Sequence, residues 1–172
     1  MKFKIGECTY NWAKKSNIAA WYEEQTTSTN AIAKESELAD SSPIALFVTE
    51  HQTAGRGRGD HLWEDLRGSC LLSSWVFRVH KNPQPVLSIQ IGLAVYKAFS
   101  ATWPYLHWSL KAPNDLYLGS HKVGGLLIEY LSHSVNRFIV GFGFNVHAHP
   151  AFETATSLAS VLRGHGLEVT QE

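Results

Sequence analysis

The sequence has no net charge and no long apolar run. Fifteen basic residues balance fifteen acidic ones in 172 residues, and a neutral chain lacks the broad basic surface that binds nucleic acid or an anionic membrane. No stretch is long enough and free enough of charge to cross a bilayer, and the start, Met-Lys-Phe-Lys-Ile-Gly-Glu-Cys, lacks the apolar core of a signal peptide. The sequence therefore predicts a cytoplasmic protein without nucleic-acid or membrane partners.

Cysteine is also scarce. Cys8 and Cys70 lie far apart without metal-ligand spacing around them, so neither a disulfide nor a zinc site is expected in a reducing compartment. Nine histidines are present, and His147, His149 and His165 form the group most suggestive of metal binding. An intervening alanine and proline indicate an irregular segment there, and we assign no metal ligand to the protein.

Glycine and arginine are concentrated in one segment, Gly55–Trp63, called the glycine loop below. It places Gly55, Arg56, Gly57, Arg58 and Gly59 between an apolar run and a tryptophan. Glycines let successive N–H groups converge on one set of oxygens, and arginine forks suit phosphate or carboxylate. The pattern favours an anion-binding loop, and a plain surface loop with solvated arginines is the alternative.

The apolar periodicity and the turn residues predict an α+β domain. Strands are predicted over residues 18–25, 44–49, 70–79, 107–110, 115–118, 122–131 and 137–146. Helices are predicted from Ser28 or Thr29 to Ala39, from Pro85 to Ala101 and from Thr156 to Arg163. Because strands outnumber helices without regular alternation, we expect one domain over residues 1–172, with a mixed, mostly antiparallel sheet and helices packed on one face.

Three further clusters carry polar groups or unusual glycines. Lys111-Ala112-Pro113-Asn114-Asp115 surrounds a turn, and Lys122-Val123-Gly124-Gly125 follows it across the short Gly119-Ser120 turn. A hairpin would bring Lys122 back toward Asp115. The Gly124-Gly125 pair leaves room for a ligand against the sheet, or marks a β-bulge. Gly141 to Asn145 ends a strand with alternating glycines and an amide.

In this order, Ser28-Thr29-Asn30, the glycine loop, these two lysine clusters and Gly141–Asn145 resemble the catalytic domain of biotin protein ligases, also called biotin–[acetyl-CoA-carboxylase] ligases. The resemblance implies a fold akin to class II aminoacyl-tRNA synthetases and lipoate ligases. It also implies a reaction with ATP and Mg²⁺ that forms biotinyl-5'-AMP and joins biotin to a lysine of a biotin carboxyl carrier protein.

The resemblance also assigns site residues. Biotin contacts are implied for Ser28, Thr29, Asn30, Gln52, Gly55, Arg56, Arg58, Trp63, Lys122, Gly124 and Gly125. ATP contacts are implied for Arg56, Arg58, Trp63, Lys111, Asn114, Asp115 and Asn145. Catalytic roles are implied for Lys122, Arg58 and Asp115. The residues alone allow a simpler role for Ser28 or Thr29, as the N-cap of a helix.

The chain departs from the family in several ways. Gly59-Asp60-His61 stands where the glycine loop usually continues with basic residues, and Ala112 stands where a large apolar residue is usual. We expect no N-terminal DNA-binding domain and no C-terminal β-barrel domain. A lipoate or octanoate transferase and a noncatalytic biotin or biotinyl-adenylate binder are the alternative functions. The sequence leaves the oligomeric state open: an edge strand, 122–131 or 137–146, either pairs across a homodimer or is covered within the protein.

Overall fold

The structure, a computed structural model, describes residues 4–79, 84, 86–132 and 136–167. Its helices are α1 (Ile5–Lys15), α2 (Thr29–Glu35), α3 (Glu37–Ser41), α4 (Leu87–Thr102) and α5 (Leu158–Gly164). Its strands are β1 (Ala19–Glu23), β2 (Ile44–Thr49), β3 (Cys70–Arg78), β4 (Trp108–Lys111), β5 (Asp115–Leu118), β6 (His121–Ser132) and β7 (Asn136–Asn145). The predicted turn over 132–136 lies mostly outside the described residues, and so does the polar tail from residue 168.

The seven strands form one sheet in the order β1-β2-β3-β7-β6-β5-β4. Only β1 and β2 pair in parallel, and the other described neighbours are antiparallel. The predicted mixed, mostly antiparallel sheet is therefore confirmed. Strands β6 and β7 lie inside the sheet, so the expectation that one of them is a free edge is wrong. The edges of the described sheet are β1 and β4.

Helices cover both faces of the sheet, although we expected them on one. Phe47 packs with the helix residues Ala33 and Ala39, whereas its neighbours Leu46 and Val48 pack with Ala13 of α1. Successive residues of a strand point to opposite faces. The face with α2 and α3 is called the cleft face below, and α1 and α4 lie on the other, where aromatic residues of β7 pack against α4.

Two helix predictions were incomplete. The helix predicted from Ser28 or Thr29 to Ala39 is interrupted at Ser36, which has extended backbone and whose side chain caps α3 by accepting a hydrogen bond from the Leu38 amide at 3.2 Å. Helix α1 was not predicted at all. It has few strongly apolar side chains, and its buried residues, Ile5, Gly6 and Ala13, are few and mostly small.

The described part of the chain contains no helix long and apolar enough to span a membrane.

Candidate active site

A cleft of about 580 Å³ opens on the cleft face, between the start of α2, the glycine loop and strands β5, β6 and β7. Eleven predicted site residues line it: Ser28, Thr29, Asn30, Gln52, Arg56, Arg58, Trp63, Asn114, Asp115, Lys122 and Gly125. These residues come from five separate segments of the chain. The fold therefore brings most of the predicted site together.

One end of the cleft is a network of hydroxyl and amide groups at the start of α2. The Thr29 amide and hydroxyl donate to Gln52 Oε1 at 2.8 and 3.2 Å. The Ser74 hydroxyl lies 2.7 Å from Thr29 Oγ1 and also contacts Asn30 Oδ1. Ser28 occupies the N-cap position, but its side chain makes no capping hydrogen bond. Gln52 therefore does the capping, and the buried Ser28 faces the cleft.

A lysine and a carboxylate meet at the other end of the cleft. Lys122 Nζ lies 2.7 Å from Asp115 Oδ1 and 5.9 Å from the centre of the Trp63 ring. The register between β5 and β6 skips Val123, so Tyr117 pairs with Lys122. This one-residue bulge turns Lys122 onto the cleft face, whereas in a regular strand it would point to the opposite face.

Two glycines of β7 hold the cleft open for larger side chains. A Cβ atom on Gly143 would lie less than 3.0 Å from the Trp63 ring, and one on Gly141 would lie equally close to the Asn30 amide. Trp63 and Asn30 therefore rest directly on the backbone of β7. The alternating glycines of this strand are visible in the sequence, but only the packing shows which side chains they admit.

The base of the glycine loop is fastened by Asp65, whose side chain is fully buried. Its carboxylate accepts a hydrogen bond from the backbone amide of Gln52 at 3.0 Å and lies 2.8 Å from His51 Nδ1. The loop closes on itself above this point, because the Trp63 amide donates to the Gly55 carbonyl at 3.0 Å. Asp65 was not predicted from the sequence, because its pairing partner lies 14 residues away.

Four predicted site residues do not line the cleft. The Gly55 carbonyl accepts the hydrogen bond from the Trp63 backbone amide that closes the loop. Lys111 places Nζ 5.8 Å from the centre of the Tyr117 ring. Gly124 faces away from the cleft, where a Cβ atom would contact Phe144.

The fourth, Asn145, lines a smaller side pocket of about 150 Å³ instead. This pocket is lined by Leu62, Trp63, Glu64, Lys122, Asn145, Pro150, Phe152, Thr154 and Ala155. The Asn145 amide donates to the Thr156 carbonyl at 3.1 Å. Leu62, Trp63 and Lys122 line both cavities and mark the junction between them.

Other cleft residues were not predicted as ligand contacts. They are Gly57, Gly59, Asp60, His61, Leu62, Ser73, Leu126, Leu127, Gly141, Phe142 and Gly143. Most come from the glycine loop or from strands β6 and β7, whose position along the sequence had been recognised. No pattern in a single sequence tells which face of those strands borders a cavity.

Glu129 of β6 is not among the residues that line the cleft, and its carboxylate contacts three polar side chains. Its carboxylate lies 2.9 Å from Asn30 Nδ2, 2.7 Å from Lys34 Nζ and 3.3 Å from Arg56 Nη1. Burial opposes ionisation of this carboxyl, but the hydrogen bonds from Lys34 and Asn30 and the charges of Lys34 and Arg56 outweigh it, so the pKa of Glu129 lies below its usual value. Glu129 is therefore an anion at neutral pH.

The two cysteines differ in environment. Burial raises the pKa of Cys70 to about 11, whereas Cys8 is exposed on α1. Because the thiolate is the reactive form, we expect an alkylating reagent at pH 8 to modify Cys8 and leave Cys70 unmodified until the protein is unfolded. Peptide mass analysis of native and denatured samples measures this. Equal labelling of both cysteines in the native protein would contradict the buried position of Cys70.

Among the described residues, no three histidine, cysteine, aspartate or glutamate side chains cluster closely enough to hold a metal ion. The polar groups of the cleft instead suit an organic ligand with hydrogen-bonding groups at one end and negative charge at the other.

The sheet and its cleft define an α+β domain with a polar cleft of small-molecule size against one face of the sheet. A family model described as the Biotin/lipoate A/B protein ligase family matches residues 22–145. This chain belongs to the Biotin/lipoate A/B protein ligase family.

Individual relatives agree with this assignment. The chain is 35% identical over 128 residues to the chloroplastic biotin–protein ligase 1 of Arabidopsis thaliana, covering 70% of this chain and 34% of that protein. It is 35% identical over 133 residues to the biotin–[acetyl-CoA-carboxylase] ligase of Mycobacterium tuberculosis, covering 73% and 48%. The chain thus spans between a third and a half of the length of these two relatives.

Solved structures share the fold. Biotin protein ligase from Leishmania major in complex with biotin has a TM-score of 0.72 and 26% identity, covering 88% of this chain and 67% of that one. Biotin protein ligase from Aquifex aeolicus in complex with biotin and ATP has a TM-score of 0.71 and 28% identity, covering 89% and 63%. The similarity extends well beyond the residues that the family model matches.

Proposed function

We propose that this protein is an ATP-dependent biotin protein ligase. The observation that carries the proposal is the position of Lys122, beside Asp115, at the junction of the cleft and the side pocket. A cation at this point can neutralise two anions that must approach each other. The relatives named as biotin ligases, and the neighbours solved with biotin and ATP, support the same activity.

In this proposal biotin lies in the cleft. Ser28, Thr29, Asn30 and Gln52 offer hydroxyl and amide groups that match the donors and acceptors of the ureido ring. Its carboxylate then points toward Lys122. The sheet backbone at Gly124 and Gly125 and the glycine loop from Gly55 through Arg56 and Arg58 complete the predicted contacts, with Trp63 closing the cleft over the bound molecule.

ATP lies across the junction, with its adenine in the side pocket. Trp63 and Phe152 supply aromatic faces there, and Asn145 lines the same pocket. The α-phosphate then falls between Lys122 and the arginines of the glycine loop. Asn114 and Asp115 border the cleft on the phosphate side. The predicted contact of Lys111 with the phosphates requires its side chain to leave the Tyr117 ring.

The first step joins two anions. A carboxylate oxygen of biotin attacks the α-phosphorus, the bond to the bridging oxygen of pyrophosphate breaks, and biotinyl-5'-AMP forms. Lys122 and Arg58 stabilise the charge that develops on the phosphoryl oxygens. In the second step a carrier lysine amine attacks the biotinyl carbonyl, AMP leaves, and an amide forms. We assign Asp115 the role of orienting that amine or accepting its proton.

Mg²⁺ is expected to enter with ATP. This ion keeps several waters and binds through one or two carboxylates together with substrate phosphates. Asp115, one of the carboxylates that line the described cleft, fits such a partial donor set. When bound, Mg²⁺ would neutralise phosphate charge, while Lys122 and Arg58 hold the reacting groups.

The partner of the second step is a biotin carboxyl carrier protein, such as that of acetyl-CoA carboxylase, acting in the cytoplasm. We retain a homodimer as part of the proposal. Within the described sheet the edge strands are β1 and β4 rather than the strands first considered. Sedimentation of the protein with and without biotin measures the oligomeric state.

Exchange of labelled pyrophosphate into ATP tests the proposed activity. Exchange that depends on biotin, followed by transfer of label from biotin to a carrier-domain lysine, supports a biotin ligase. Exchange with lipoate or octanoate in place of biotin would favour the lipoate-type alternative. Biotin binding without any exchange would make the protein a noncatalytic binder.

Asp60 is expected to weaken retention of the adenylate. It lines the cleft among the arginines of the glycine loop, and a carboxylate near phosphates costs Coulomb energy. We expect Asp60→Arg to slow release of biotinyl-5'-AMP by about tenfold, since reversing one exposed charge changes binding by about 1–2 kcal/mol. Rapid filtration of the preformed complex measures the release rate, with Glu37→Arg at an exposed position of α3 as the matched control. Equal rates for Asp60→Arg and the wild type would contradict this role.

A further inference from the structure

The glycine loop has few polar contacts with the rest of the protein. Its described backbone hydrogen bonds stay within the loop, where the Gly57 amide donates to the His61 carbonyl at 2.7 Å and the Trp63 amide to the Gly55 carbonyl at 3.0 Å. In the described structure, the side-chain contact that ties residues 55–62 to the sheet is the ion pair between Arg56 and Glu129. This ion pair thus holds the loop above the cleft together with the packing of Trp63 on β7.

Glu129 lies outside the lining of the cleft but contacts residues that line it. It lies on β6 opposite Ile139, its side chain is 18% exposed, and it is not among the residues that line the cleft. It contacts two residues that do line the cleft, Asn30 at 2.9 Å and Arg56 at 3.3 Å. One carboxylate thereby links the start of α2 to the glycine loop across the cleft wall.

We infer that Glu129 is a positioning residue that holds the glycine loop closed over the cleft through Arg56. The consequence for the ligand rests on the proposed function, whereas the tether itself does not. Glu129 lies 3.3 Å from Nη1 of the Arg56 guanidinium, whose side chain is 48% exposed. Arg56 then orders the loop in addition to the ligand contacts proposed for it.

Amide hydrogen exchange of the ligand-free protein tests the tether. The reporting amides are those of Gly57 and Trp63, whose hydrogen bonds lie within the loop, and we expect these bonds to open more often when the loop is no longer held against β6. We expect Glu129→Gln and Arg56→Gln each to raise exchange at these amides by about threefold, the range of a partly exposed ion pair. The double variant should exchange no faster than either single variant, because both remove the same interaction.

Lys34→Gln is the matched control. Lys34 contacts the same carboxylate at 2.7 Å but belongs to α2 rather than to the loop. Glu129→Gln keeps an oxygen that accepts the hydrogen bond from Asn30, so the wall of the cleft is preserved. We expect Lys34→Gln to leave loop exchange unchanged. Unchanged amide exchange in the loop of Glu129→Gln, or a rise in exchange spread evenly over α2 and β6, would overturn the inference. If Glu129→Gln fails to fold, Arg56→Gln tests the same ion pair.

Kinetics separate this inference from the proposed function. If the loop is loosened but the reacting groups are intact, Glu129→Gln should raise the KM for biotin by about threefold and leave kcat nearly unchanged. Arg56→Lys keeps the positive charge, so we expect its KM for biotin to lie closer to the wild-type value than that of Arg56→Gln. A fall in kcat with unchanged KM would contradict positioning through the loop. If neither the wild type nor any variant shows biotin-dependent exchange of pyrophosphate into ATP, the proposed function fails. The amide hydrogen exchange result still decides whether the tether exists.

Discussion

Replacing Lys122 with alanine is expected to lower biotin-dependent pyrophosphate exchange by about a hundredfold to a thousandfold, the usual effect of removing one group that stabilises transition-state charge. Lys122 lines both cavities and pairs with Asp115 at 2.7 Å. Its loss would leave a carboxylate and a phosphate to approach each other beside an unpaired aspartate. We expect kcat to fall more than biotin affinity, because the charge matters most when the new bond forms.

The matched control is Lys97→Ala, which removes an exposed cation from α4 on the other side of the sheet. It should keep full exchange activity. The double variant Lys122→Ala with Asp115→Ala separates loss of the cation from the effect of leaving Asp115 unpaired. Wild-type activity in Lys122→Ala would remove this lysine from the reaction and with it the main support for the proposed mechanism.

Adding a single methyl group to Gly143 is expected to weaken biotin binding by about tenfold or more. The new Cβ would overlap the Trp63 ring, and relieving an overpacked contact costs about 1–3 kcal/mol. The strand is paired on both sides by β3 and β6, so the loop carrying Trp63 moves more easily than the sheet. The expected result is a loop displaced from the cleft with the fold retained.

Calorimetric titration with biotin measures this affinity, and thermal unfolding shows whether the fold is retained. Gly164→Ala at the end of α5 is the control, because a Cβ atom there meets nothing within 4 Å. Gly141→Ala is a second test of the same strand, with Asn30 as the displaced side chain. Unchanged biotin affinity in Gly143→Ala would show that Trp63 does not have to rest on β7 for binding.

Much of the candidate site was predictable because its residue types, mainly glycine, arginine and lysine, occur in short patterns that indicate anion binding or a turn. The glycines and arginines of the glycine loop, and the short turn between Asp115 and Lys122, indicate anion binding and a hairpin by local rules. The hairpin does bring Lys122 to Asp115. Strand positions were also predictable, since runs such as Ile44–Thr49 are apolar and β-branched.

Other features depend on contacts between distant segments. The capping of α2 by Gln52, the fastening of the loop by Asp65 and the tether at Glu129 join residues 13 to 99 positions apart. The helices cover both faces because successive residues of β2 are apolar on both sides, and a single sequence does not tell which helix packs on which side. Helix α1 escaped prediction because its buried stripe is short.

The sequence by itself determined the chemistry available to this protein: a loop of glycines and arginines, a lysine near a carboxylate, and strands interrupted by glycines. The tertiary structure decided how these groups face one another. The bulge at Val123 shows the physical reason, because one extra residue reverses the side to which Lys122 points. Only strand pairing with β5 fixes that register, and with it the meeting of Lys122, Asp115 and Trp63 at the junction of two cavities.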